Sequence, residues 1–208
     1  MGNGKAPAGI DLDTSEPIDD GTSARIGSPT PGPVGLDTRS GDAKASAASI
    51  GDQVVGYARR QSGSRIGKGQ CFDLADTALR GAKAKSAADY GKVSPNADYK
   101  WGTPVTLTTL RPGDIVQFRN YVYEQVVVTK TDKATTTDEV DVDRPHHTAI
   151  VESVGEDGAV TVFEQNAPEG SAVTQTVLYF KDSTTTSGKR TTTIKVKGTF
   201  WFFRPEAD

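Results

Sequence analysis

Thiol and imidazole, the pair that makes a cysteine nucleophile, are scarce in this sequence. There is one cysteine, Cys71, and the two histidines are adjacent, His146 and His147. A single thiol cannot close an intramolecular disulfide, and one cysteine with two neighbouring histidines is a poor ligand set for a structural zinc ion. Cys71 is then either a small apolar residue in a core or a nucleophile. A thiol reacts as the thiolate, which the front of a helix favours through its unpaired N–H groups and dipole. Cys71 stands at the front of a predicted helix that runs to Leu79 or Arg80, with Leu74, Ala75, Ala78 and Leu79 as its apolar face and Gly81 as its stop. Gly67 and Gly69, just before it, would let the backbone come close to a substrate, and the first-turn N–H groups could hold an oxyanion.

A thiol nucleophile needs a base, and a base needs a third group to fix its ring. The run from His147 to Val151 reads as a strand, and alternation puts His147 on one face with Ala149 and Val151, small residues that could cover a helix. His146 points the other way. On the next predicted strand Glu164 and Asn166 are two apart and share a face, while Gln165 points away from it. If Gly155 to Gly158 turns these two strands into a hairpin, Glu164 or Asn166 comes beside His147. Each feature also has a plain structural alternative: a packed thiol, histidines at a strand entrance, a polar strand exit. Trp101 reads as a core or rim residue that could also line a groove.

The surrounding elements fit that placement. Residues 1–48 are rich in Gly, Pro, Ser, Ala and Asp, contain no aromatic residue and show no sustained apolar period, so they read as a disordered tail or linker ahead of a folded domain over 49–208. Val54, Val55 and Ala58 give a short helical stripe that ends near Gly63. The segment 82–104 reads as a long connection. From Arg111-Pro112-Gly113-Asp114, which is turn chemistry, the signal turns to β. Ile115, Val116 and Phe118 start a strand; 121–130 and about 137–142 flank Thr131 to Ala134 as a polar hairpin projecting from the core; strands follow at about 147–154, 159–165, 172–180 and 192–203, and the threonine run 184–186 reads as a loop. The fold class is α+β: N-terminal helices packed on a curled antiparallel sheet of five to six strands.

In this order, Gly-Gln-Cys at a helix start, Pro112-Gly113-Asp114-Ile115-Val116, His147 to Val151 and Glu164-Gln165-Asn166 resemble the CHAP amidase/peptidase family, a papain-like group related to NlpC/P60 proteins. Glu164 and Asn166 lie 17 and 19 residues after His147, and the resemblance spans about residues 50 to 205. It implies a papain-like core in which Cys71 attacks an amide carbonyl, His147 takes its proton, and Glu164, with Asn166 as partner or alternate, orients the histidine. It also implies a peptidoglycan peptide as substrate and an acyl-enzyme thioester. The long charged stretch from Tyr121 to Asp143 departs from that pattern.

Composition narrows the other possibilities. A net charge of −3 gives no basic footprint for nucleic acid. No apolar run approaches the roughly 20 residues of a membrane span, and no signal peptide opens the sequence, so a cytoplasmic protein or one exported by a signal-independent route is expected. No cofactor and no metal are expected: the loop 61–70 before Cys71 holds no carboxylate for calcium, and Asp141-Val142-Asp143 reads as solvated charge. Two other functions fit the same residues. One is a non-catalytic interaction module; the other is a secreted effector or toxin with Cys-His chemistry, for which an inhibitor or immunity protein would be a partner.

Overall fold

The computed structural model describes residues 48–95 and 97–208. The tail expected over 1–48 lies, Ala48 apart, outside the described residues. Helix α1, Ile50–Arg60, begins at a reciprocal cap: the Ser49 hydroxyl accepts the Asp52 N–H at 3.1 Å, and the Asp52 carboxylate accepts the Ser49 N–H at 3.1 Å. Helix α2, Cys71–Gly81, carries its apolar stripe Leu74, Ala75, Ala78 and Leu79 fully inward. Burying a leucine in this way contributes about 1.5–3 kcal/mol. The expected long connection over 82–104 contains a one-turn helix, α3 at Ala87–Tyr90, and a short strand, β1 at Thr103–Val105.

Six further strands complete one antiparallel sheet: β2 Ile115–Lys130, β3 Thr135–Val154, β4 Ala159–Glu164, β5 Thr174–Tyr179, β6 Ser183–Ser187 and β7 Arg190–Arg204. The order is β1-β7-β2-β3-β4-β5, with β6 on β7, so the sheet has seven strands where the sequence pattern predicts five to six. The threonine run 184–186, expected as a loop, is strand β6. It faces Thr191, Thr192 and Thr193 of β7 across a two-residue turn at Gly188-Lys189, and β-branched residues paired across strands favour this ladder.

β2 and β3 are also longer than their expected pieces, because a bulge replaces the expected breaks. Between Arg119 and Val122 the register of β2 against β7 slips by one residue. Asn120 takes a φ of 50°, and Gly198 of β7, at φ 90°, lies so near that a Cβ there would sit 2.0 Å from the Asn120 carbonyl oxygen. Only glycine fits this crossing.

The two faces of the sheet bury two cores. Ile115, Ile150, Phe163 and Phe203 meet α1, α2 and Trp101 on one side. Val116, Phe118, Ala149, Val151, Val162 and Leu178 fill the concave side, where Phe180 packs against the rings of Phe118, Tyr121, Phe200 and Phe202. The Tyr121 hydroxyl donates to the Tyr179 carbonyl at 2.5 Å and ties the curl shut. Ala149 and Val151 therefore face the inside of the curl and not a helix, which corrects the expected partner of that face. Asp114, only 2% exposed, receives Arg204 Nε at 3.1 Å and the Arg111 N–H at 2.9 Å, so the Pro-Gly-Asp turn anchors the C-terminal strand.

Candidate active site

Cys71 is the first residue of α2, and its front is tightly braced. Asp73 accepts the N–H of Lys68 at 2.7 Å and of Gln70 at 3.1 Å, folding the preceding loop onto the helix end. Gly67 and Gly69 have φ of 59° and 87°, and a Cβ on them would meet the Asp73 carboxyl and the Arg65 guanidinium. They serve this turn, and neither lines the cleft in which Cys71 lies. Between Ile150 and the end of β2, strand β3 has no partner on its β4 side, since β4 pairing begins at Ile150 with Phe163. The front of α2 enters there, bringing the Thr148 backbone N–H to the Cys71 thiol.

His147, 4% exposed, meets the thiol through its side chain. Its Nε2 lies 3.1 Å from Glu164 Oε2, which leaves Nδ1 for the thiol. At that separation the carboxylate attracts the ring as an ion-pair partner, but the N–H direction misses the oxygen, and Nε2 makes no directed hydrogen bond. Glu164 is fully buried and is gripped on its other side by Arg144, whose Nε donates to Oε2 at 2.9 Å and whose Nη2 donates to Oε1 at 2.5 Å. A fork-to-carboxylate pair of this kind holds both planes in a fixed orientation.

Strand alternation counted back from His147 puts Arg144 on the opposite face, so sequence reasoning misses it. The structure brings both to Glu164 because alternation fails at Pro145: the β2–β3 register skips the Asn120–Pro145 pair, and Tyr121 and Phe118 both enter the concave core. Pro145 is the available sequence signal, since a proline inside a strand marks an irregular ladder.

Gln165 points to the helix face, opposite Glu164, as alternation predicts. There its buried amide accepts the Ile66 N–H at 2.6 Å and donates to the carbonyls of Ile66 at 3.1 Å and Gln70 at 2.9 Å. Asn166 does not share the place of Glu164 beside His147. At φ 66° it has left the strand, and its Oδ1 accepts the Gly170 N–H at 2.6 Å inside the following turn. His146 contacts the Ala97 carbonyl at 2.7 Å and lies edge-on to Tyr99. Trp101 is fully buried and donates to Gln117 at 3.1 Å, a core role that leaves it off the cleft wall.

The electrostatics favour a charged dyad. Burial pushes the Cys71 thiol up, but the hydrogen bond and charge of His147, with the Thr148 and Phe72 N–H groups, outweigh it and hold the thiol below the usual cysteine value. Burial pulls His147 down, while Cys71 and Glu164 on its two sides raise it above the usual imidazole value. Burial also opposes ionisation of Glu164, yet His147 and Arg144 bring its carboxyl down to about 2. Cys71 and His147 open onto a cleft of about 1260 Å³, walled by Tyr99, Val142 and Pro168 and rimmed by Asp141, Asp143 and Glu169. No group of three or more metal-ligating side chains gathers among the described residues. The chemistry available is nucleophilic attack by sulfur with proton transfer through imidazole.

No curated protein and no solved structure matches the sequence. A family described as the AIM3/BBC1 cysteine proteinase-fold domain matches residues 32–188, a span that contains Cys71, Arg144, His147, Glu164 and Gln165. The helix-first α+β architecture, with its thiol at a helix front against a histidine on the sheet, agrees with that description, and the chain belongs to the AIM3/BBC1 cysteine proteinase-fold domain family.

Proposed function

We propose that this domain hydrolyses amide bonds in peptide substrates through a cysteine thioester. The observation that carries the reading is the His147 ring held between the Cys71 thiol and the buried Glu164 carboxylate. In this reading His147 takes the Cys71 proton and the thiolate adds to the substrate carbonyl carbon. The resulting oxyanion is met by N–H groups at the front of α2, and its collapse expels the amine, which takes the proton from His147. Water, deprotonated by His147, then cleaves the thioester and regenerates the thiol. Glu164 steadies the imidazolium, and Arg144 keeps Glu164 ionised.

The CHAP likeness makes peptidoglycan peptide the first substrate class to try, and the cysteine proteinase fold makes an unstructured polypeptide the second. The test is to incubate wild type, Cys71→Ala and His147→Ala with purified cell wall and, separately, with a denatured protein, and to count new amino groups. Release by wild type with loss of at least about ten-thousandfold in both variants is expected. Turnover in the variants equal to wild type removes the dyad from the reaction. No release from either substrate, together with a Cys71 thiol that alkylates only on unfolding, points instead to a non-catalytic interaction module.

A further inference from the structure

Among the described residues, Gln165 is the one fully buried amide that hydrogen-bonds the loop in front of Cys71. It uses one acceptor and two donor contacts, all to backbone, on Ile66 and Gln70. Its chain neighbour Glu164 leaves the same strand end on the other face and meets His147. One dipeptide thus meets His147 on one side of the sheet and the residue just before Cys71 on the other.

The contact with the Gln70 carbonyl matters most. That oxygen also accepts the Asp73 N–H at 3.0 Å, so both its lone pairs are held. In a trans peptide the carbonyl and the following N–H point in opposite directions. Fixing the Gln70 oxygen toward Gln165 therefore fixes the Cys71 N–H away from it, and that N–H is one of the four at the front of α2 without a partner in the helix. The Ile66 contacts anchor the other end of the same loop, so the sulfur and its own N–H are aimed together.

We propose that Gln165 is a positioning residue for the reaction at Cys71, setting the Gln70–Cys71 peptide plane and, with Glu164, the register between thiol and imidazole; this rests on the hydrolase reading above. A misplacement of about 1 Å at a reacting centre costs roughly a hundredfold, so the effect is kinetic before it is structural.

The experiment measures two things on wild type, Gln165→Leu and Gln165→Glu: the iodoacetamide rate of Cys71 against pH, which needs no substrate, and kcat and KM on whichever amide substrate wild type cleaves. For Gln165→Leu the proposal expects an alkylation midpoint moved to higher pH and a kcat lowered about tenfold or more, with KM within about twofold. Gln165→Glu keeps the acceptor for Ile66 but presents oxygen to two carbonyls. It should show the same defects, shrinking as the pH falls and the carboxyl regains a proton to donate. If Gln165→Leu does not fold, the Glu variant alone decides. Wild-type alkylation profile and kcat in a folded variant overturn the proposal, as does a defect in the Glu variant that does not change with pH. Should wild type cleave no substrate, the alkylation profile still tests the positioning, and the loss then belongs to the hydrolase reading.

Discussion

The hairpin of β2 and β3 is one hydrogen-bonded ladder with two dissimilar halves. Near its base, His147 to Val151 are buried, with the helices on one side and the curled core on the other. Towards its tip, Thr135 to Asp141 are exposed, and β3 there pairs only with β2. Backbone pairing is continuous along both, so pairing alone does not make a site. The difference lies in cover: only the base has apolar layers on both faces, and only there does a carboxylate such as Glu164 lose water and become dependent on its partners. The change of regime falls at Asn120, Pro145 and Gly198, where the ladder is irregular and Arg144 is turned inward.

The contrast breaks first at Glu164. Glu164→Gln leaves Arg144 buried beside a neutral amide and should cost about 3–5 kcal/mol, read by denaturant unfolding. Replacing Arg144 by Met as well should recover part of that loss, because no unpaired charge then stays buried; a double variant less stable than the single one would show that the pair is not the source. The same site sets the pH response. The carboxyl of Glu164 falls from an ordinary 4.5 to about 2 in the fold, so its stabilisation is complete above the ordinary glutamate range and is lost as the pH drops towards about 2. Thermal midpoints of wild type should fall over that window, and those of the Gln variant should fall less.

For activity, the Cys71 thiol is held low and the His147 imidazole high. The rate kcat/KM should therefore rise with pH below the ordinary cysteine range and decline only above the ordinary histidine range.

Gly198→Ala tests the boundary between the halves. A Cβ 2.0 Å from the Asn120 oxygen at φ 90° cannot be absorbed without undoing the bulge. A loss of about 1–3 kcal/mol is expected, with weaker alkylation of Cys71 if the bulge supports Arg144. At the tip, Val140 is 49% exposed, and Val140→Thr should change stability by no more than about 0.5 kcal/mol and leave turnover untouched. A large effect there would mean the tip shares in the site after all.

Much of this is legible in the chain. The stripe Leu74, Ala75, Ala78, Leu79 announces α2, and the Gly155 to Gly158 turn announces the hairpin that returns Glu164 to His147. Arg144 is not legible, because counting by two from His147 gives the wrong face once Pro145 intervenes. Asn166 is misread for a related reason: the strand ends at Glu164, and a residue at φ 66° no longer follows alternation. The threonine strand β6 looks like a loop because its residues are polar, and it pairs through backbone and β-branched contacts that a hydrophobic pattern does not record.

By itself the sequence determines a lone thiol at a helix front, two histidines on opposite faces of one strand, and a carboxylate and an amide on opposite faces of the next. Local periodicity suffices for this, since helix and strand geometry are set by neighbours along the chain. Only the tertiary structure decides that α2 enters at the uncovered edge of β3, that Glu164 is shared by His147 and Arg144, and that Gln165 holds the loop before Cys71. Those outcomes depend on where the curl and the bulge bring distant segments together, and the burial that results determines which charges need partners.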